Sequence, residues 1–161
     1  MVETEKFKQW LGLVRKIHPG FEFEAHREVP WVALRRPLKE CKIALVTTAG
    51  VHGIQQPRFD EESVTGDFSL REISSGMASS ELKITHGHYD HRDGDQDINC
   101  VFPIDRLREL SREGVVGPLA DTFFGMCGFT PHPRRFLEKT TPRIVESLQS
   151  EQVEVALLTP G

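Results

Sequence analysis

The sequence predicts a layered α/β domain, a mostly parallel open sheet with flanking helices, Rossmann-like or flavodoxin-like in kind. Short apolar runs at residues 42–47, 82–85 and 153–158 have the length of strands and alternate with amphipathic stretches of helical length. Composition agrees: 161 residues, 38% hydrophobic and 27% charged, describe an ordinary globular chain. A single domain over residues 1–161 is expected, because no internal repeat, low-complexity tract or Gly/Pro-rich linker divides the chain.

Phe7, Trp10, Leu11, Val14 and Ile17 recur at spacings of three and four, with Thr4 placed to cap a helix and Pro19-Gly20 to stop it. Its apolar stripe is expected to pack on the sheet. Trp31 to Leu34 reads as a short strand. Lys42 to Thr47 is a continuous apolar run closed by Thr48-Ala49-Gly50, the pattern of a strand covered on both faces. Val51 to Ser80 carries turn residues and charge, and reads as a long connection holding a short strand near Phe68 to Ile73. Leu82 to Thr85 is a third strand that runs into His86. Pro103 to Glu113 reads as a helix with Ile104, Leu107 and Leu110 on one face and Gly114 after it. Thr141-Pro142 opens another, as cap and first position, with Ile144, Val145 and Leu148 buried. Val153 to Leu158 is the last strand.

Charge and patterning exclude several functions. A net charge of -4 and a pI near 6.0 provide no basic field for a phosphate backbone, which argues against nucleic acid as a partner. The longest apolar runs, Ile43 to Val46 and Val155 to Leu158 among them, are far shorter than the ~20 residues of a membrane helix, so no membrane partner is expected. Met1-Val-Glu-Thr-Glu-Lys lacks the basic-then-apolar order of a secretion signal, which makes the cytoplasm the expected location. Cys41, Cys100 and Cys127 are odd in number and widely spaced, as in a reducing compartment, and read as small buried hydrophobes.

Thr85-His-Gly-His-Tyr-Asp-His91 spells H-x-H-x-D-H at a strand end. His86 and His88 project to one side of an extended chain, and with Asp90 and His91 they form an ordinary zinc donor set, resembling the metal motif of the metallo-β-lactamase superfamily. That superfamily needs further ligands downstream, where only His132 remains. A zinc hydrolase is therefore the alternative reading, and solvated or hydrogen-bonded loop histidines the plain one. Asp93-Gly-Asp-Gln-Asp97 fails as an EF-hand loop, since Ile98 and Ile104 stand where Gly and Glu are required. It reads as an acidic turn that orients the histidines or caps the next helix. Thr47-Thr-Ala-Gly-Val-His52 follows a strand end where glycine admits a close backbone approach, but it matches neither G-x-G-x-x-G nor the Walker pattern. If the strands are parallel neighbours, Thr48 and Gly50, His86 and His88, and Thr159-Pro160-Gly161 converge on one rim.

Five segments taken together resemble the selenoprotein B subunit family of glycine, sarcosine, betaine and D-proline reductases. They are Ala44-Leu-Val-Thr-Thr-Ala-Gly-Val-His52, Ile84-Thr-His-Gly-His-Tyr-Asp90, Asp97-Ile-Asn-Cys-Val-Phe-Pro-Ile-Asp-Arg-Leu-Arg-Glu-Leu110, Glu113-Gly-Val-Val-Gly117 and Leu157-Leu-Thr-Pro-Gly161. The block from Asn99 to Leu107 is the most specific. The resemblance implies a selenol- or thiol-dependent oxidoreductase subunit that cleaves a carbon–nitrogen bond of a small amino-acid substrate, with a dithiol as electron donor. It also implies a partner subunit carrying a pyruvoyl group; a homodimer is a further expectation from the edge strand the last run would form.

The resemblance places the reactive selenocysteine or cysteine, in a Sec/Cys-x-x-Cys arrangement, after the Leu-Leu-Thr-Pro strand end, which here means beyond Gly161. It thus implies an amino-terminal fragment, with a selenocysteine codon read as a stop, inactive alone and holding no bound cofactor. Thr48, Gly50, His52, His86, His88, Tyr89, Asp90, Asn99 and Thr159 become candidates for substrate binding or proton transfer. The histidines would hold a carboxylate or move protons, and Asp90 would orient an imidazole.

Overall fold

The computed structural model describes residues 5–17, 19–21, 31–130 and 132–161. The chain passes in order through α1 (Glu5–Ile17), β1 (Ile43–Thr47), β2 (Val51–Gly53), β3 (Arg71–Ser74), β4 (Leu82–Ile84), α2 (Arg92–Gln96), α3 (Ile104–Arg112), β5 (Thr122–Gly125), α4 (Pro133–Lys139), α5 (Thr141–Ser150) and β6 (Val155–Thr159). It divides into two compact units, Met1–Ala33 and Leu34–Gly161. In the first, α1 begins with Glu5 and ends with Arg15 and Lys16, charges that complement the helix dipole. Its expected cap, Thr4, and the Phe7 and Trp10 side chains lie outside the described residues.

The second unit is built on β1, whose five residues are all buried. Strands β5 and β6 flank it, both parallel, with Thr47 opposite Gly125 on one side and Thr159 on the other. Antiparallel β3 completes the sheet in the order β3-β5-β1-β6. The expected mostly parallel α/β sheet with flanking helices is therefore borne out.

Two adjacent phenylalanines show why it is layered. Phe123 and Phe124 of β5 point to opposite faces. Phe123 meets Phe102 edge-on at 6.1 Å, in a cluster with Ile104 and Leu107 of α3, and Phe124 packs with Val46, Met126 and Ile144 of α5. Each buried phenylalanine contributes roughly 1.5–3 kcal/mol relative to an exposed one.

The structure corrects several expectations. Trp31 to Leu34 forms no strand; the run lies between Pro30 and Pro37, and Trp31 and Val32 are exposed. β4 is not a parallel member of the main sheet. After β1 the chain turns at Gly50 and pairs β2 antiparallel with β4, His52 opposite Lys83, while both edges of β1 are already taken. Thr140, not Thr141, stands at the N-cap position of α5 and makes no side-chain capping bond; its hydroxyl donates instead to the Phe68 carbonyl at 2.6 Å. Val145 and Leu110 are exposed, leaving Ile144 of α5 and Ile104 and Leu107 of α3 as the buried residues of those helices.

The long connection is held by Arg71, 8% exposed, which donates to the Pro57 and Arg58 carbonyls and lies 4.3 Å from the Phe59 ring centre. β6 is an edge strand with Leu158 exposed. Among the described residues no helix is long and apolar enough to cross a membrane.

Candidate active site

The carboxyl ends of β1, β5 and β6 share one rim. Thr48-Ala49-Gly50 leaves β1, Met126-Cys127-Gly128 leaves β5, and Pro160-Gly161 leaves β6. The Thr48 N–H donates to the Thr159 carbonyl at 3.0 Å, the Gly128 N–H to the Thr48 carbonyl at 2.8 Å and the Gly50 N–H to the Met126 carbonyl at 2.9 Å. Ala49 bridges to Cys127. The Gly161 N–H reaches the Thr48 hydroxyl at 3.3 Å, and a side chain on Gly161 would strike the Ala49 Cα at 2.3 Å. The end of β6 is thus laid directly over Ala49.

The histidine segment joins this rim through Gly50. Its φ of +74° favours glycine, and a Cβ there would lie 2.3 Å from the Thr85 carbonyl oxygen and 3.0 Å from the His86 Cβ. The Thr85 N–H donates to the Gly50 carbonyl at 3.0 Å, which seats His86 against the β1 turn although β4 lies in a different sheet.

The histidines have separate fates. His52 is buried with both ring nitrogens engaged: Nδ1–H donates to the Gly53 carbonyl and Nε2 accepts from the Thr85 hydroxyl, each at 2.9 Å. Burial first, then Arg71 and Arg58, hold its pKa below the usual value. His86 is 4% exposed; its Nδ1 accepts the His88 N–H at 3.2 Å, so the neutral ring carries its proton on Nε2. That Nε2 is buried with no hydrogen-bond partner among the described residues, and no other buried side-chain nitrogen or oxygen among them is left so. Burial, reinforced by His88 and His91, pushes the His86 pKa down to about 4. His88 stacks on Phe129, ring centres 3.6 Å apart. His91 Nδ1 pairs with Asp95 Oδ2 at 2.8 Å.

Tyr89 donates its hydroxyl to the Ala49 carbonyl at 3.1 Å and lies edge-on to His86 at 4.8 Å. Burial, with Asp95 and Cys127 nearby, raises its pKa to about 12, so it stays a hydroxyl.

Three candidates take other roles. Asp90 does not orient an imidazole: its carboxylate is bidentate on Arg92, with Nε at 2.9 and 3.1 Å, and the guanidinium holds its pKa down to about 2. Asn99 is engaged within the chain. Its Oδ1 accepts the Asp105 N–H at 3.0 Å, and its Nδ2 donates to Asp97 Oδ1 at 2.9 Å and Asp105 Oδ2 at 3.2 Å. It is the clamp at the start of α3. Thr159 donates its hydroxyl to the Val101 carbonyl at 2.7 Å.

The zinc alternative is also corrected. His88 is stacked on Phe129, Asp90 is paired with Arg92 and His91 with Asp95, and the described residues hold no group of three or more His, Cys, Asp or Glu able to bind a metal.

Sequence reasoning missed the rim position of Cys127. This buried thiol takes a backbone hydrogen bond from Phe129, and burial, with Asp67 and Glu61, raises its pKa. The signal was present: an apolar Phe-Phe pair followed by Gly125-Met-Cys-Gly128 has the form of a strand ending in a tight loop.

Comparison with known proteins matches residues 15–161 to the glycine/sarcosine/betaine reductase selenoprotein B family. The D-proline reductase subunit gamma of Acetoanaerobium sticklandii is 40% identical over 131 residues, covering 81% of this chain and 53% of that protein. The sarcosine reductase complex component B subunit beta of Peptoclostridium acidaminophilum is 31% identical over 124 residues, 72% of this chain and 28% of the relative. The glycine reductase complex component B subunit gamma of Symbiobacterium thermophilum is 31% identical over 130 residues, 77% of this chain and 29% of the relative. The chain therefore spans about half the length of the first of these relatives and under a third of the other two. No solved structure matches. With almost the whole chain matched and the quoted segments distributed along both the rim and its scaffold, the protein belongs to the glycine/sarcosine/betaine reductase selenoprotein B family.

Proposed function

We propose that the chain is part of a cytoplasmic reductase subunit that cleaves the carbon–nitrogen bond of a small amino acid reductively. The bond takes up two electrons and two protons, giving the free amine and a C–H bond, and a dithiol supplies both as it becomes a disulfide. The observation that carries this reading is the seating of Gly161 over Ala49, beside Gly50 and His86. A selenocysteine or cysteine following Gly161 in the complete subunit would enter the rim at that point, and it supplies the nucleophile and the redox couple.

What the described residues contribute is placement. Thr48 and Thr159 fix the strand ends, Tyr89 pins the Ala49 carbonyl, and His86 keeps a neutral N–H at the rim. The pyruvoyl group belongs to a partner subunit in this reading and supplies an electrophilic carbonyl to the substrate amine there. An unpaired, uncharged donor suits a substrate whose other end carries an anionic oxygen.

The reading is tested first on the gene. Translation past the Gly161 codon is expected to give selenocysteine or cysteine, with a second cysteine three positions later; a reading frame without that pair overturns it. The assembled complex should then consume dithiol in proportion to the amino acid cleaved, and residues 1–161 alone should not. Turnover of D-proline or glycine by residues 1–161 with a dithiol would move the nucleophile elsewhere.

A further inference from the structure

We propose that His86 is the carboxylate receptor of this subunit, a neutral imidazole that donates its Nε2–H to the carboxylate of the bound amino acid. The inference rests on the reductase reading above and gives one residue a role which that reading leaves open.

A buried donor without an acceptor bears the full cost of lost hydration, and folded proteins rarely leave one so. In this unit the neighbouring polar groups are satisfied internally: both nitrogens of His52, the Tyr89 hydroxyl, and the Asp90 carboxylate on Arg92. His86 Nε2 stands apart from them.

The identity of the missing partner follows from the tautomer. Because Nδ1 is occupied by the His88 N–H, Nε2 bears the hydrogen and can only donate. A cation is thereby excluded and an acceptor required. An anionic oxygen is the strongest acceptor for such a donor in a site with little water. Glycine at position 50 lets the His86 Cβ sit close to the β1 turn, and the ring lies 4.8 Å from that of Tyr89, whose hydroxyl is bonded to the Ala49 carbonyl, beside the strand ends where ligands bind in open parallel sheets. Burial keeps the ring neutral, so the donor is present through the physiological range.

The test uses the complete subunit labelled with 15N-histidine, with acetate as probe and acetamide as its uncharged counterpart. One imidazole is expected in the Nε2–H tautomer with a proton resonance that shifts saturably with acetate and at least ~10-fold more weakly with acetamide. His86→Phe should abolish the response, and His86→Gln, which keeps an N–H at the same reach, should retain acetate binding within about 5-fold.

In the assembled reductase, H86F should raise KM for the amino acid roughly 10- to 100-fold with kcat nearly unchanged, and H86Q should restore it. A resonance indifferent to acetate, as for a site filled by ordered water, overturns the proposal; so does a fall in kcat at constant KM, which would place His86 at the chalcogen instead. Reductive turnover without an acetate response defeats this proposal alone. An acetate response in a complex that cleaves no carbon–nitrogen bond defeats the reductase reading alone.

Discussion

The segment His86 to His91 and the block Asn99 to Arg108 are near neighbours in sequence and opposite in character. In the block, polar groups close on each other. Asn99 clamps Asp97 and Asp105, and Arg108 pairs with Asp105 at 3.0 Å and donates to the Ser75 carbonyl at 2.8 Å, while Phe102, Ile104 and Leu107 are buried beneath them. In the histidine segment one buried donor remains open, and an exposed carboxylate, Asp90, is held by its own neighbour. A sequence block can thus be the most specific mark of a family because it builds the scaffold, whereas the string that holds the unpaired donor is shorter and less specific.

The comparison breaks most visibly at Gly50, which joins the histidine segment to β1. Gly50→Ala combines a left-handed backbone with a Cβ driven into the Thr85 carbonyl, and is expected to destabilise the chain by roughly 3 kcal/mol or more, read from urea unfolding.

Acid should act through His86 with nearly the same size. Above its ordinary pKa of 6.5 neither the folded nor the unfolded state binds a proton there; between 6.5 and about 4 only the unfolded state does. Stability therefore falls as pH drops through that window and levels below it, by on the order of 3 kcal/mol for this group. His86→Gln should flatten the slope, and His52, also shifted downward, leaves a smaller residual one of the same sign. An unchanged slope in H86Q would deny that His86 is buried and neutral.

Asn99→Ala sharpens the contrast from the other side. It should cost about 1–2 kcal/mol by unclamping α3, and leave acetate affinity at His86 unaltered. The smallest effect belongs to the exposed Asp90–Arg92 pair: Arg92→Ala is expected to change stability by less than about 0.5 kcal/mol, by the same unfolding measurement.

The sequence made the strands at Ile43–Thr47, Leu82–Ile84 and Val155–Thr159 legible because each is a compact apolar run with a clear stop. β5 escaped because its four residues are half phenylalanine and glycine-bounded, too short for any periodicity to register. The pairing of β4 with β2 was illegible for a different reason. A strand's partner is decided by which edges are already filled, and nothing local to Leu82–Ile84 records that β5 and β6 occupy both sides of β1.

At the site, residue types single out the histidine segment, which the fold seats against the β1 turn. They could not separate His86 from His52, since the difference is whether Thr85 and Gly53 happen to face the ring. Asp90 was misassigned because Arg92, two positions on, competes for its carboxylate at closer range than any imidazole.

The Val101 carbonyl accepts from Thr47 at 3.0 Å and from Thr159 at 2.7 Å, joining the far ends of β1 and β6 to the turn that precedes α3. Edge strands usually fray from whichever terminus is least held. Here the rim end is stapled, whereas the start of β6 relies on the Arg36–Glu154 ion pair, which lies in solvent, and on hydrogen bonds to the Lys42 carbonyl. Breathing of β6 should therefore begin at Val155 and travel toward Thr159, so that amide hydrogens near Val155 exchange with deuterium well before that of Thr48. The strand would act as a hinged flap whose pivot is the rim itself, and ordinary thermal opening would leave the geometry around Ala49 and Gly50 undisturbed.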